Sequence, residues 1–460
     1  MKGLRNNIVD VLRVALPLLV STGMFSLVLF TDRTLLYWYD GSAMSASMSA
    51  GNVFWSMICL PMGIASMTGA MIAQHVGAKQ TTEVGKLLWQ SVWLAVLFIP
   101  FVLLAAYFAP VIFHWTGQPQ ELIAMETTFI RILMIGACGI VLDSGLSGFF
   151  SGTERTAVIM WTSVASALLN LVLDVWLIFG GFGVPALGIQ GAATASAIAF
   201  WLKPIIYLGL LRSPKWEASY QLRKGFCFNP RTLLRLVYFG FPAGLHSVAE
   251  SGSFSWILLQ IGKLGDHSLQ ATTMAINFNL VAFIPLVGLQ VGTSVVVGRR
   301  LTESGPDRAA EAVRASLIVG MIYCALWAIL YILIPDVLFS IYGGTAIDST
   351  GHETVAVAKQ LLWIVTAYLF LDAAQIILSG ALRGAGDTWF VLVTVVTASL
   401  SVILLGSVLY EPIVSRQLVN PLIYWWLVMC VWVWSLGITL SLRYRHGRWR
   451  SMRMIDPVLH

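Results

Sequence analysis

Twelve long apolar stretches, separated by short polar connections, follow one another along this sequence. They are centred within residues 10–36, 46–72, 88–113, 123–149, 158–179, 189–211, 233–261, 271–297, 313–339, 361–381, 390–410 and 419–442. A hydrocarbon core about 30 Å thick is crossed by about 20 residues of helix, so each stretch can span a bilayer once. In that solvent every backbone N–H and C=O must be satisfied within the protein, which leaves helices and closed barrels as the available folds. The runs are too long for barrel strands and lack their period-two alternation. The sequence therefore predicts an all-α polytopic membrane protein. Charge agrees: only 11% of the 460 residues are Asp, Glu, Lys or Arg, against about 25% in soluble domains. This balance excludes a disordered chain, a secreted disulfide scaffold and a nucleic-acid-binding domain. Cys59, Cys138, Cys227, Cys324 and Cys430 lie far apart without metal or CxxC spacing and read as small buried apolar residues.

The N-terminus, MKGLRNNIVDVLRVALPLLV, has no small-residue cleavage site after its apolar run and reads as a retained first helix. Most of the 28 Lys and Arg residues fall in the tails and even-numbered connections. The positive-inside rule then predicts a multi-pass protein of the cell (inner) membrane with both termini cytoplasmic. The net charge of +6 is thus topogenic, and the basic tail Arg443–Arg453 reads as a stop-transfer cap rather than an anionic-lipid site.

The longest charged connection, 212–232, divides the chain into expected six-helix lobes of residues 1–220 and 221–460. Pro17 and Pro242 are 225 residues apart, as are Asn52 and Asn277, and the frame xGxxxT recurs at Ser151–Thr156 and Arg383–Thr388. An even number of spans per half predicts parallel repeats that can rock about a central cleft, as alternating access requires. Pro17 and Pro242 permit a bend in the first helix of each half, whether a fixed kink or a hinge.

The few acids inside these spans are the most informative residues, because an Asp at the bilayer centre costs roughly 2.5–3.5 kcal/mol. Asp32 lies in the first span and Asp143 in the fourth. Asn170 and Asp174 share a face of the fifth with Ser163 and Ser166. His246, Glu250 and Ser253 share a face of the seventh; Tyr368, Asp372, Gln375 and Ser379 follow one another at helical spacing in the tenth. A carboxylate kept from water either pairs with a cation or takes a proton. If a cationic substrate and an ion must take turns at such a group, the result is antiport. The alternative is that these groups only hydrogen-bond between helices; stripes holding four acids favour function.

Several segments resemble one family. ALPLL at 15–19 with Thr31–Asp32, the run 170–196, FGFPAGLHSVAESGSF at 239–254, the run 276–299 and YLFLDAAQIILSGALRGAGDT at 368–388 together resemble the multidrug and toxic compound extrusion (MATE) family, in its NorM-like branch. The resemblance implies a V-shaped, twelve-helix, two-lobed exporter of cationic and amphipathic drugs, coupled to Na+ or H+ and needing no other cofactor. It implies a C-lobe cation site, with Na+ as a possible ligand, at Glu250, Tyr368 and Asp372. It implies an N-lobe site at Asp32, Asn170 and Asp174, with Ser196 or Thr194 as the hydroxyl ligand. Asn52, His246, Asn277 and Gln375 are further candidates for the cavity wall. Arg33 departs from the family pattern and leaves open whether it pairs with Asp32. The expected partners are small molecules and membrane lipid, with no nucleic acid and a monomeric chain. Trp425, Trp426, Trp432 and Trp434 are able to stack on flat cationic drugs but are expected chiefly as interfacial anchors or lipid-facing bulk, and the methionines of the second span, Met44 to Met71, as adaptable cleft surface or packing.

Two rivals remain. GAGD at 384–387 with Tyr39–Asp40 matches the motifs of an intramembrane aspartyl protease, but the two acids are expected at opposite membrane faces. A lipid-linked precursor flippase would line its cleft with Lys and Arg, whereas the intramembrane charges here are mainly acidic. No HExxH, GxxxxGK[ST] or strand-borne GxGxxG supports an enzyme or ATP-driven pump.

Overall fold

A computed structural model of the chain describes residues 2–114, 120–181, 183–340 and 349–455. Its helices, in chain order, are α1 (Lys2–Tyr39), α2 (Gly41–Gly77), α3 (Thr81–His114), α4 (Gln120–Gly152), α5 (Thr156–Phe179), α6 (Ile189–Leu211), α7 (Pro214–Tyr220), α8 (Pro230–Gly262), α9 (Asp266–Glu303), α10 (Pro306–Leu333), α11 (Pro335–Ser340), α12 (Ser349–Ala385), α13 (Thr388–Val414) and α14 (Pro421–His446). Apart from the short α7 and α11, each covers one of the twelve apolar stretches. Eleven are apolar enough by composition to cross a membrane. The other, α8, is 33 residues long and carries His246, Ser247, Glu250, Ser251 and Ser253 on an otherwise apolar run.

The helices outrun their apolar cores because their ends are separately specified. Asn229 and Asn420 accept backbone N–H bonds from the first turns of α8 and α14, and a proline follows each cap. Asp40 does the same for α2 through Ser42; the Ser42 hydroxyl and amide hold the Asp40 carboxyl below its usual range. At Gly447, after α14, φ is +80°, where a Cβ would be strained.

Helices α1–α6 form one bundle, and α8–α10 with α12–α14 form the other. The bundles meet along α1, α2, α8 and α9 through close backbone approaches: Gly63 against Gly244, Gly240 against Ile64, and Gly288 and Gly292 against Leu18 and Ala15. The described residues nearest the two chain ends lie at one end of this seam. Arg300 bonds Asn7 at 2.8 Å and Asp10 at 2.9 Å, Asn7 bonds Glu311, and Arg299 pairs with Glu154 at 2.5 Å. From the C-terminal tail, Met454 N donates to Gln74 Oε1 and Arg453 to Leu301 O. Toward the other end, Asn52, Ser56, Ser251 and Asn277 are exposed although they belong to the seam helices α2, α8 and α9. The halves therefore separate into a V. Outward faces such as Leu103 and Leu104 on α3 and Leu404, Leu405 and Val408 on α13 are apolar and exposed, as lipid contact requires.

Two sequence expectations change, for Cys227 and for the tryptophans of α14. The 212–232 connection is a packed strap: Trp89 Nε1 donates to Leu222 O, Gln90 Nε2 to Cys227 O, and Trp216 meets Phe149 and Phe150 edge-on and stacks on Tyr220. Cys227 in that strap is exposed, unlike buried Cys324 and Cys430. Trp425, Trp426 and Trp432 are buried rather than lipid-facing, and only Trp434 is exposed. Trp425 stacks on Tyr410, and Trp426 donates to Thr272. Period-3.6 reading places these rings on a helix but does not say which face meets protein.

Candidate functional site

In the first bundle, Asn170 and Asp174 sit one turn apart on α5 and both are buried. α1 brings Asp32 to them, and α6 brings Ser196, whose Oγ donates to Asp32 Oδ2 at 3.0 Å. The Asp32 and Asp174 carboxyls lie within hydrogen-bonding reach of each other. Two ionised carboxylates have no hydrogen to share, so that contact calls for a proton or a cation between them. With both ionised, Asp32 Oδ1, both Asp174 oxygens and both amide atoms of Asn170 have no hydrogen-bond partner. An oxygen-rich set shielded from water, in which four carboxylate and amide oxygens have no donor, is chemically suited to H+ or a hard cation. Thr194 is turned away on α6 and donates to its own helix at Gln190 O; two residues along a helix are about 200° apart. Arg33 feels the Asp32 charge but forms no ion pair with it among the described residues. Beside this cluster opens a cavity of about 450 Å³ walled by Phe25, Trp55, Met62 and Phe200 and closed by Ile284 and Val287 of α9.

In the second bundle, Tyr368, Asp372 and Gln375 of α12 are buried. Gln375 Nε2 donates to Asp372 Oδ1 at 3.2 Å and also lies within reach of Glu250. Glu250 stands one turn beyond His246, with Oε2 3.7 Å from His246 Nδ1. Glu250, Tyr368, Asp372 and Gln375 line a cavity of about 240 Å³ together with Asn279 and Trp432. Asn279 Oδ1, Trp432 Nε1 and both His246 ring nitrogens have no partner within hydrogen-bond distance. No cluster of three or more His, Cys, Asp or Glu with metal-holding geometry occurs among the described residues, so a cation here would complete its shell from Tyr, Asn, Ser or water oxygens. Asn52 and Asn277 are exposed on the cleft-side helices, whereas His246 is buried within its bundle.

Three residues escaped the sequence reading. Arg383, read as a connection charge, lies in the last turn of α12, near enough to interact with Glu250 and His246. The spacing of Gln375, Ser379 and Arg383, four residues each time, could have found it. Asn279 joins the second cavity from α9, and no local pattern marks it; Trp432, one of the tryptophans noted in the last span, joins it from α14. Lys203 pairs with Asp143 at 2.7 Å across the first cavity, a contact between residues 60 apart in sequence.

The protease reading fails on geometry. Asp387 is engaged by Arg443 at 2.7 and 3.1 Å at the end carrying the chain termini, while Asp40 caps α2 at the opposite end. The flippase reading lacks its basic cleft: Lys203, the one cation lining either cavity among the described residues, is neutralised by Asp143.

Comparison with known proteins agrees with this architecture. The chain is 28% identical over 383 residues to the probable multidrug resistance protein NorM of Burkholderia mallei, covering 82% of this chain and 81% of that protein. It is 28% identical to the multidrug resistance protein PmpM of Pseudomonas aeruginosa over 75% of this chain and 71% of that one. Its fold superposes with a TM-score of 0.82 on an outward-facing multidrug resistance MATE family transporter of the MOP superfamily, at 18% identity and 97% coverage of both chains. A eukaryotic MATE transporter, AtDTX14, superposes at 0.79 with 19% identity and the same coverage. The MatE family model matches residues 17–176 and 242–408, one segment in each bundle and each opening at the proline singled out above; the chain belongs to the MatE family.

Proposed function

We propose that this chain is a secondary active multidrug exporter that exchanges organic cations and amphipathic drugs for H+ or Na+ by alternating access. The observation that carries the reading is the Asp32–Asn170–Asp174 cluster, four of whose oxygens lack donors and which adjoins a cavity of drug size. A carboxyl pair that must hold a proton or cation is a site at which ion and substrate compete, and competition is what couples their flows. The second cluster, Glu250, Tyr368 and Asp372, offers the same chemistry beside its own cavity. The names of the NorM and PmpM relatives support drugs as cargo.

In this reading the lobes, residues 1–220 and 221–460, rock about the seam in a monomer, and the basic end carrying both termini faces the cytoplasm of the cell membrane. The downhill ion enters a carboxyl cluster from the open end of the V and displaces the substrate. The test is drug export from proteoliposomes carrying an imposed Na+ or pH gradient, one at a time. Asp174→Asn, which keeps shape but removes the ionisable oxygen, is expected to abolish gradient-driven export through the first cluster while the purified protein keeps its helical content. Wild-type export by a chain with both Asp174→Asn and Asp372→Asn would refute the proposal.

A further inference from the structure

The ion pair between Asp143 of α4 and Lys203 of α6 belongs to neither carboxyl cluster. Both side chains keep part of their exposure, 22% and 19%, and both line the larger cavity, where they are the one anion and the one cation among the described lining residues. Most of the polar wall is chemically one-sided, the exception among its hydroxyls being the Ser21–Ser163 pair, where one hydrogen bond is shared between two O–H groups. Ser144, Ser147 and Ser151 donate to carbonyl oxygens of their own helix, and Ser166 donates to Ala199 O. A hydroxyl whose proton is so engaged shows a ligand only lone pairs. Apart from the neutral Asn170 amide and Trp55 indole, the N–H donor of the wall is Lys203, the charged one, which has three hydrogens and one carboxylate partner. Asp143 Oδ1 has no partner at all.

A ligand bearing only an ammonium meets the Lys203 charge when it approaches Asp143. It can take Asp143 only by leaving that lysine, 19% exposed, without its counter-charge, which is unfavourable. A ligand carrying a carboxylate near its ammonium exchanges partner for partner, ammonium to Asp143 and carboxylate to Lys203, so that charges alternate and none is stranded. We propose that Lys203, positioned by Asp143, is a specificity-determining residue that makes this cavity favour amphipathic amines bearing a carboxylate over simple monocations. The inference rests on the export function proposed above and narrows its substrate class for one cavity.

The test is fluorescence anisotropy with the full chain in lipid nanodiscs and two probes, a cationic xanthene dye with a free carboxylate and the methyl ester of the same dye. The wild type should bind the carboxylate dye more tightly. Lys203→Met should weaken the carboxylate dye by about tenfold, the equivalent of one contact of about 1.4 kcal/mol, while the ester binds as well or better. Lys203→Arg should keep the wild-type order. Because Lys203→Met strands Asp143, the double variant Lys203→Met with Asp143→Asn, which removes both charges, provides the same comparison if the single variant is unstable; it should bind the two dyes about equally. A wild-type preference for the ester, or an unchanged ratio of affinities in either variant, overturns the inference. No ion gradient is needed, so the two proposals fail separately: loss of coupling leaves the dye ratio intact, whereas a wild type that binds neither dye ends both.

Discussion

Gly63→Ala should open the seam that holds the two bundles together. A Cβ at Gly63 would lie 2.3 Å from Gly244 Cα and 2.5 Å from Gly244 N, where carbon atoms rest about 3.5–4.0 Å apart. The obstacle is backbone, so no side-chain rotation relieves it, and α2 and α8 must part by more than about 1 Å. Overpacking of this kind costs about 1–3 kcal/mol. If that cost falls on this conformation and not on one in which α2 and α8 have separated, the equilibrium shifts by about 5- to 150-fold. Gly23→Ala on α1 is the control, because a Cβ there meets nothing within 4 Å, and an alanine inside a helix is if anything favourable. Spin labels on Cys introduced at Glu121 and Arg416, exposed positions at the open end of each bundle, would report the separation by pulsed electron resonance in a background free of the five native cysteines. Gly63→Ala should add a population with a shorter distance, and Gly23→Ala should match the parent. Identical distance distributions for all three proteins would refute the idea that this glycine contact selects the conformation.

Two further outcomes follow from the same end of the molecule. Glu154→Arg should weaken export by setting two guanidinium groups against each other across the bundles, and adding Arg299→Glu should restore it, because the pair at 2.5 Å is then rebuilt in reverse; failure of the double variant to recover would count against a role for that bridge. Exposed Cys227 should react with a membrane-impermeant maleimide in inverted vesicles and resist it in right-side-out ones, while Cys324 and Cys430 stay unlabelled in both; the opposite sidedness would reverse the assigned orientation.

The sequence made the spans legible because apolarity over about 20 residues is a summed property that no single residue can reverse. The stripe from Tyr368 to Gln375 was legible for a similar reason, since a polar face on an apolar helix has to meet protein or water. What stayed hidden was pairing. Nothing local to Lys203 points to Asp143, and nothing local to Trp425 distinguishes a ring facing Tyr410 from one facing lipid. Arg383 was misplaced because Gly384 and Gly386 suggest a loop, whereas α12 continues to Ala385 and turns only at Gly386, where φ is +109°.

The halves repeat in backbone but not in chemistry, and this is why the repeat was faint. Of the two pairs that recur at 225, Pro17 with Pro242 shapes a helix and Asn52 with Asn277 is polar but not acidic, and both family-matched segments begin at the proline. The acids do not keep that register. Asp32 lies fifteen residues beyond its proline and Glu250 eight beyond its own, so along equivalent helices they differ in depth by about 10 Å. Their partners differ as well: Asp32 is met by α5 and α6, the fifth and sixth long helices of its half, whereas Glu250 is met by α12, the fourth of its own. A duplicated scaffold constrains proline and close-packed glycine in both copies because both must bend and pack alike. A carboxyl cluster is constrained only by whatever binds there, so two clusters at unequal depths can serve one exchange without being copies of each other.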